Sequence, residues 1–165
     1  MSEGYLLTTA AGLVQVRFEA GVLVRIHLMT FEPREGEGVL EMKPSPVPGT
    51  PQARFVAELD SYLRGLSPRF DCVFRLRGTP FQILVWTALR GIPYGRTTTY
   101  GDLARAIGHP QAVRAVGRAL GANPLPILLP CHRVVARDGI GGFSADPGWK
   151  RWLLEMEGRC VGENR

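Results

Sequence analysis

Apolar and polar positions alternate along the first thirty residues. Tyr5-Leu6-Leu7 leads to a turn at Ala11-Gly12, Leu13 to Glu19 alternates in its second half, and Gly21 precedes the apolar run Val22 to Leu28. A period of two is that of a strand with one face buried, so residues 4–29 are expected to form a strand meander. Glu32 to Pro51 is rich in Gly, Pro and Glu, carries little apolar surface, and reads as a mobile loop or linker. From Ala53 to Leu63 the period lengthens, and Phe55, Leu59, Tyr62 and Leu63 share one face of a short helix. Arg69 to Leu76 reads as a further strand.

The second half changes character. Thr79 and Pro80 form an N-cap and first-turn pair. Phe81, Leu84, Val85 and Ala88 follow at helical spacing, and Gly91 closes the helix. Thr99 is placed to cap the next helix, with Asp102 at its positive end. Tyr100, Leu103, Ala104 and Ile107 share a face, and Gly108 ends it. A third helix is expected from Gln111 to Ala122, with Val113, Val116 and Leu120 toward the core. Two short helices joined by a glycine-containing turn suggest a helix-turn-helix. The expected fold is therefore α/β of the α+β kind: a strand-rich unit with a helix over residues 1–76, then a mainly helical unit over 77–165.

Charge adds a direction. The net charge of +5 makes a polyanionic partner plausible without establishing one. On the third helix Gln111, Arg114 and Arg118 share a face beside Gly117 and Gly121, and small residues between arginines let a helix backbone approach a phosphate backbone. A solvated basic face explains the same pattern equally well. No apolar stretch approaches a membrane span, and Met1-Ser2-Glu3-Gly4 lacks the basic start and apolar run of a signal peptide, so a cytoplasmic location is expected. Cys72, Cys131 and Cys160 are widely separated and odd in number, and His27, His109 and His132 are scattered. Neither a disulfide framework nor a metal site is expected.

The most informative stretch is Asn123 to Val135. Pro126 and Pro130 stiffen the backbone around Cys131, which is followed at once by His132 and Arg133. Nearby positive charge and a proton acceptor lower a thiol's pKa and favour the nucleophilic thiolate. Adjacent side chains on an extended strand point to opposite faces, however, so a Cys131–His132 interaction needs a turn or a bridging water. The plain alternative, a small buried hydrophobe, is the reading given to Cys72, in the apolar run Phe70 to Phe74, and to Cys160.

Pro130-Cys131-His132-Arg133-Val134, preceded by Gly121-Ala122-Asn123-Pro124 and followed by a glycine-rich loop and Leu153-Leu154-Glu155-Met156-Glu157-Gly158, resembles the O6-alkylguanine-DNA alkyltransferases. The resemblance runs from about Thr79 to Gly158; the first half matches only loosely. It implies direct, irreversible, single-turnover transfer of an alkyl group from guanine O6 in DNA to Cys131, without a cofactor. It further implies His132 as a base acting through water, Glu157 as the group orienting it, Asn123 as a brace between the helix-turn-helix and the reactive segment, and Tyr100 as hydrogen-bond donor to the leaving guanine. Arg114 would fill the gap left by a flipped base, with Ala112, Ala115, Gly117 and Arg118 against DNA, and Pro126, Val134, Phe143 and Ser144 at the base pocket. Phe143 stands where many members have tyrosine. The implied partner is double-stranded DNA carrying O6-alkylguanine, bound from the minor groove by a monomer, with cooperativity on DNA left open.

Three other readings fit parts of the pattern. A lesion-binding relative without transfer would replace the reactive cysteine, which Cys131 argues against. A transcription factor sensing alkylation would need a further sensor element. A cysteine hydrolase would need an oxyanion hole and turnover.

Overall fold

The protein is described here by a computed structural model covering residues 1–66 and 69–163, with side chains through Gly158. It is a mixed α/β chain with a small antiparallel sheet and, among the described residues, five α-helices. The chain divides into two compact units, Met1–Arg75 and Leu76–Arg165. No helix among the described residues is long and apolar enough to cross a membrane.

In the first unit, β1 (Ser2–Thr9), β2 (Gly12–Glu19), β3 (Val22–Phe31) and β4 (Val39–Lys43) form a sheet in the order β3-β2-β1-β4. Their alternation is realised as a buried face, with Tyr5 opposite Val16 and Val16 opposite Ile26, then Leu7 opposite Val14 and Val14 opposite Leu28. Helix α1 (Pro51–Leu63) buries Phe55, Leu59, Tyr62 and Leu63. Phe18 of the sheet meets Tyr5 and Phe55 edge to face at 6.0 and 5.9 Å between centroids, the geometry that aromatic quadrupoles favour.

Two expectations are corrected in this unit. The segment 32–51 is not all loop, because β4 lies within it and pairs with β1 through Leu6–Lys43 and Leu7–Met42. Backbone ladders and the bond from Val39 N–H to Asp60 Oδ1, 2.7 Å long, hold this strand, and neither requires apolar composition. Conversely, 69–76 is not a strand. Only a single bridge joins Phe74 to Leu23, flanked by Leu23 N to Val73 O at 2.9 Å and Arg75 N to Leu23 O at 3.0 Å. The segment's apolar residues serve packing instead: Phe70 lies against Phe55 and Tyr62 at 6.1 and 6.0 Å. Cys72 is accordingly half-buried rather than a core residue, and the side chain of Cys160 lies outside the described residues.

The second unit is built on α2 (Pro80–Leu89), α3 (Tyr100–Ala106), α4 (Val113–Gly121) and α5 (Pro147–Glu163), with a two-stranded parallel ladder of β5 (Thr98–Thr99) and β6 (Val134–Val135). Thr79 and Gln82 form a reciprocal capping box at the start of α2. Its buried face is Val85, Trp86 and Leu89, while Leu84 is 40% exposed, one position off the expected stripe. Trp86 turns that face toward α4, donating its indole N–H to Ala119 O at 2.7 Å and satisfying a carbonyl of the helix's last turn. Helix α4 starts at Val113, two residues later than expected. Val113 is 39% exposed, and Ala119 joins Val116 and Leu120 in the core. Between α3 and α4 the chain turns at Gly108, which adopts a φ of 78°, the left-handed region suited to glycine.

Candidate active site

Local geometry first removes the difficulty of adjacent side chains. Cys131–Arg133 form a single 3-10 turn, not an extended strand. With three residues per turn, the three side chains leave the axis in three directions. Cys131 lines a cavity of about 300 Å³ together with Tyr100, Gly117, Leu120, Gly121, Gly142, Phe143 and Ser144, a volume at the lower end of small-ligand pockets. His132 and Arg133 meet α5 at Glu157.

The turn is held from upstream by Asn123, whose amide donates to Leu129 O at 2.8 Å and whose Oδ1 accepts from Leu125 N at 3.0 Å. The proximity of the same side chain favours the Cys131 thiolate. Downstream, Glu157 is fully enclosed. Its Oε1 lies 2.8 Å from His132 Nε2, and Arg133 grips both carboxylate oxygens through Nε and one terminal nitrogen, at 2.8 to 3.2 Å. The other terminal nitrogen of Arg133 donates to Ile92 O at 2.8 Å, and Gly95 N donates to Glu157 Oε2 at 3.3 Å.

This arrangement fixes a tautomer. A carboxylate bound by a guanidinium is an acceptor, so Nε2 of His132 carries the hydrogen. Burial pushes the imidazole pKa down, against the opposing pull of Glu157. His132 therefore rests neutral, with Nδ1 as its basic atom. Burial likewise pushes the Cys131 thiol up, overriding the stabilisation that Asn123 and Lys150 offer its anion. The neighbouring positive charge expected to favour the thiolate is thus outweighed: Arg133 is bound to Glu157, and desolvation is the larger effect on Cys131.

Lys150 is the residue that sequence reasoning missed. It lies on α5, is only 1% exposed, and donates from Nζ to Val134 O at 2.8 Å and Gly142 O at 2.9 Å. It thereby ties the cavity wall to the reactive segment. Its ammonium faces the Tyr100 ring at 5.8 Å, loses proton affinity through burial, and regains some through the charge of Cys131. Trp149-Lys150-Arg151 in a helix gives no periodic sign that its middle residue is buried.

Tyr100 completes the cavity. Its hydroxyl donates to Gly142 O at 3.4 Å, and burial raises its pKa, keeping the phenol protonated. Gly141, at a φ of 76°, lies so close that a Cβ there would meet the Tyr100 hydroxyl at 2.8 Å; the glycine-rich loop is shaped to this ring. Phe143 and Ser144 line the cavity, whereas Pro126 and Val134 are not among its lining residues: Pro126 is half-buried, and Val134 is fully buried as the β6 residue paired with Thr98. Arg114 and Arg118 are exposed on α4, Ala115 is half-buried there, and Ala112 caps the helix start.

The site therefore sets an enclosed thiol and a protonated phenol on one cavity, with a neutral imidazole, oriented by a carboxylate, on the residue that follows the thiol. It can remove a proton from sulfur, receive an electrophilic carbon, and donate a hydrogen bond to a leaving group.

Comparison with known proteins agrees with this chemistry. The family described as "6-O-methylguanine DNA methyltransferase, DNA binding domain" matches residues 80–159. A probable methylated-DNA--protein-cysteine methyltransferase of Acanthamoeba polyphaga mimivirus is 45% identical over 108 residues, covering 65% of this chain and 72% of that protein. The solved O6-methylguanine methyltransferase of Mycobacterium tuberculosis superposes with a TM-score of 0.79 at 36% identity, covering 96% of this chain and 94% of that one. OGT of the same organism, solved in complex with DNA, gives 0.77 at 37% identity, covering 94% and 93%. This chain belongs to the methylated-DNA--protein-cysteine methyltransferase family.

Proposed function

We infer that this protein repairs DNA by taking the alkyl group of O6-alkylguanine onto Cys131, once per molecule. The observation that carries this reading is the enclosed Cys131 sulfur on a cavity walled by Tyr100, with His132 locked to Glu157 behind it. The Cys131 proton passes through water to His132 Nδ1, and Glu157 stabilises the imidazolium that forms. The thiolate attacks the alkyl carbon in line. The carbon–oxygen bond breaks with its electron pair on guanine, and Tyr100 hydrogen-bonds the departing base. A thioether remains, and no group in the site is suited to cleave it.

DNA is engaged through α3 and α4 as a helix-turn-helix. Three features support this: Arg114 and Arg118 exposed on α4, the lack of any side-chain cap at that helix's N-terminus, and glycines 117 and 121 at the cavity edge. Uncapped N–H groups and arginines suit phosphate oxygens. The small Ala112, Ala115 and Gly117 suit approach along the minor groove, and Arg114 is the side chain that fills the vacancy of the flipped nucleotide. The reading assigns a monomer working in the cytoplasm.

Incubation with a duplex containing O6-methylguanine, followed by peptide mass analysis, tests the function. One methyl on the Cys131 peptide is expected. Cys131→Ala keeps duplex binding and loses transfer. Methyl on another residue, or repeated turnover, would contradict the reading.

A further inference from the structure

The outer face of the first unit's sheet sets two arginines opposite each other. Arg17 on β2 stands directly opposite Arg25 on β3, and the next outward pair is Gln15 opposite His27. Like charges directly opposed across a ladder are destabilising, and the face offers no relief: among the described residues neither arginine forms an ion pair. Two carboxylates on strands of this sheet pair with other cations, Glu19 with Arg75 at 3.3 Å and Glu41 with Lys43 at 2.9 Å.

On its other side Arg17 faces Gly4 of β1. A Cβ at Gly4 would meet nothing within 4 Å, and its φ lies outside the left-handed region. Neither packing nor backbone strain demands glycine there. Its missing side chain opens a depression of about 150 Å³ bordered by Gly4, Gln15, Arg17, Arg25 and His27. Two guanidinium forks, an amide and an imidazole around a shallow hollow match the oxygens of a phosphodiester.

We propose that this hollow binds the sugar-phosphate backbone of duplex DNA, a contact separate from α4. The choice of DNA rests on the function proposed above, but the two fail separately. Methyl transfer to Cys131 tests the function; the salt dependence of binding to lesion-free duplex tests the sheet.

With the full chain, Arg17→Gln combined with Arg25→Gln makes the slope of log affinity against log salt shallower by about 1 to 2, because each phosphate contact contributes about 0.9. Transfer from a free O6-alkylguanine base is unchanged. Gly4→Glu, which sets a carboxylate in the hollow while keeping both arginines, flattens the slope similarly and guards against a folding artefact. Arg34→Gln with Arg69→Gln removes equal charge from exposed positions of the same unit and leaves the slope as it was. An unaltered slope in the sheet variants, or an equal fall in the control, overturns the proposal. So does a melting temperature raised by inorganic phosphate with no change in duplex slope, which would mark a site for free anions.

Discussion

Arg133 and Glu157 form a buried, two-pronged ion pair in which the guanidinium holds both carboxylate oxygens. The residue next to the reactive pair in sequence thus works two positions away from the sulfur, as counter-ion to the group that orients His132. Arg133→Met leaves a carboxylate enclosed without its countercharge and should cost about 3–5 kcal/mol of stability, read by denaturant unfolding. Arg133→Lys should recover only part of it, because an ammonium lacks the planar fork. Glu157→Gln keeps the shape but removes the charge that supports the imidazolium, so methyl transfer should slow by about 10²- to 10⁴-fold while duplex binding holds.

Lys150 predicts a different pattern. Its ammonium favours the Cys131 anion and clasps Gly142 to Val134. Lys150→Met should lower the rate at which a small soluble alkylating agent modifies Cys131 at neutral pH, about tenfold for each unit by which the thiol pKa rises. Raising the pH should restore much of that rate. A uniform loss at every pH would instead assign Lys150 to wall structure alone.

The pH dependence of stability follows from two opposite shifts. His132 is lowered by burial, so folding favours its neutral form. That contribution is present above the ordinary value of 6.5 and is lost as pH falls below it, when the unfolded imidazole binds a proton that the folded one refuses. Cys131 is raised, so folding favours the thiol; its contribution is present below 9.0 and is lost as pH climbs beyond. Chemical denaturation across pH should show both limbs. His132→Gln should flatten the acid limb and Cys131→Ser the alkaline one. Persistence of both limbs in the double variant would contradict these assignments.

Methylation should weaken the fold. Asn123 ties Leu125 to Leu129 just ahead of Cys131, and a thioether bulkier than the thiol strains the short buried segment that carries the sulfur. The melting temperature of protein reacted on methylated duplex is expected to fall below that of unreacted protein. An unchanged midpoint would contradict this.

What the sequence disclosed depended on how local each feature is. The strands of residues 4–29 announced themselves by alternation, and α2 and α3 by threonine caps. Strand β4 did not, because its stability lies in a ladder with β1 and a bond to Asp60. Arg69 to Leu76 misled for the opposite reason: its aromatics pack on α1 without pairing. Val113 has core spacing, yet α4 begins there and this first residue is exposed. The motif around Cys131 named Asn123, His132 and Glu157, whose contacts the fold does bring together. Lys150 was hidden, since a lysine's burial is decided by carbonyls distant in sequence.

The enclosure of Cys131 also bears on how the molecule survives until it is needed. A sulfur with 6% of its residue exposed and its proton retained is a poor target for peroxides and stray electrophiles, which attack accessible thiolates. A protein that reacts only once cannot squander that event, and here shelf life and selectivity have the same origin: whatever reaches the sulfur must first fit the chamber in front of it.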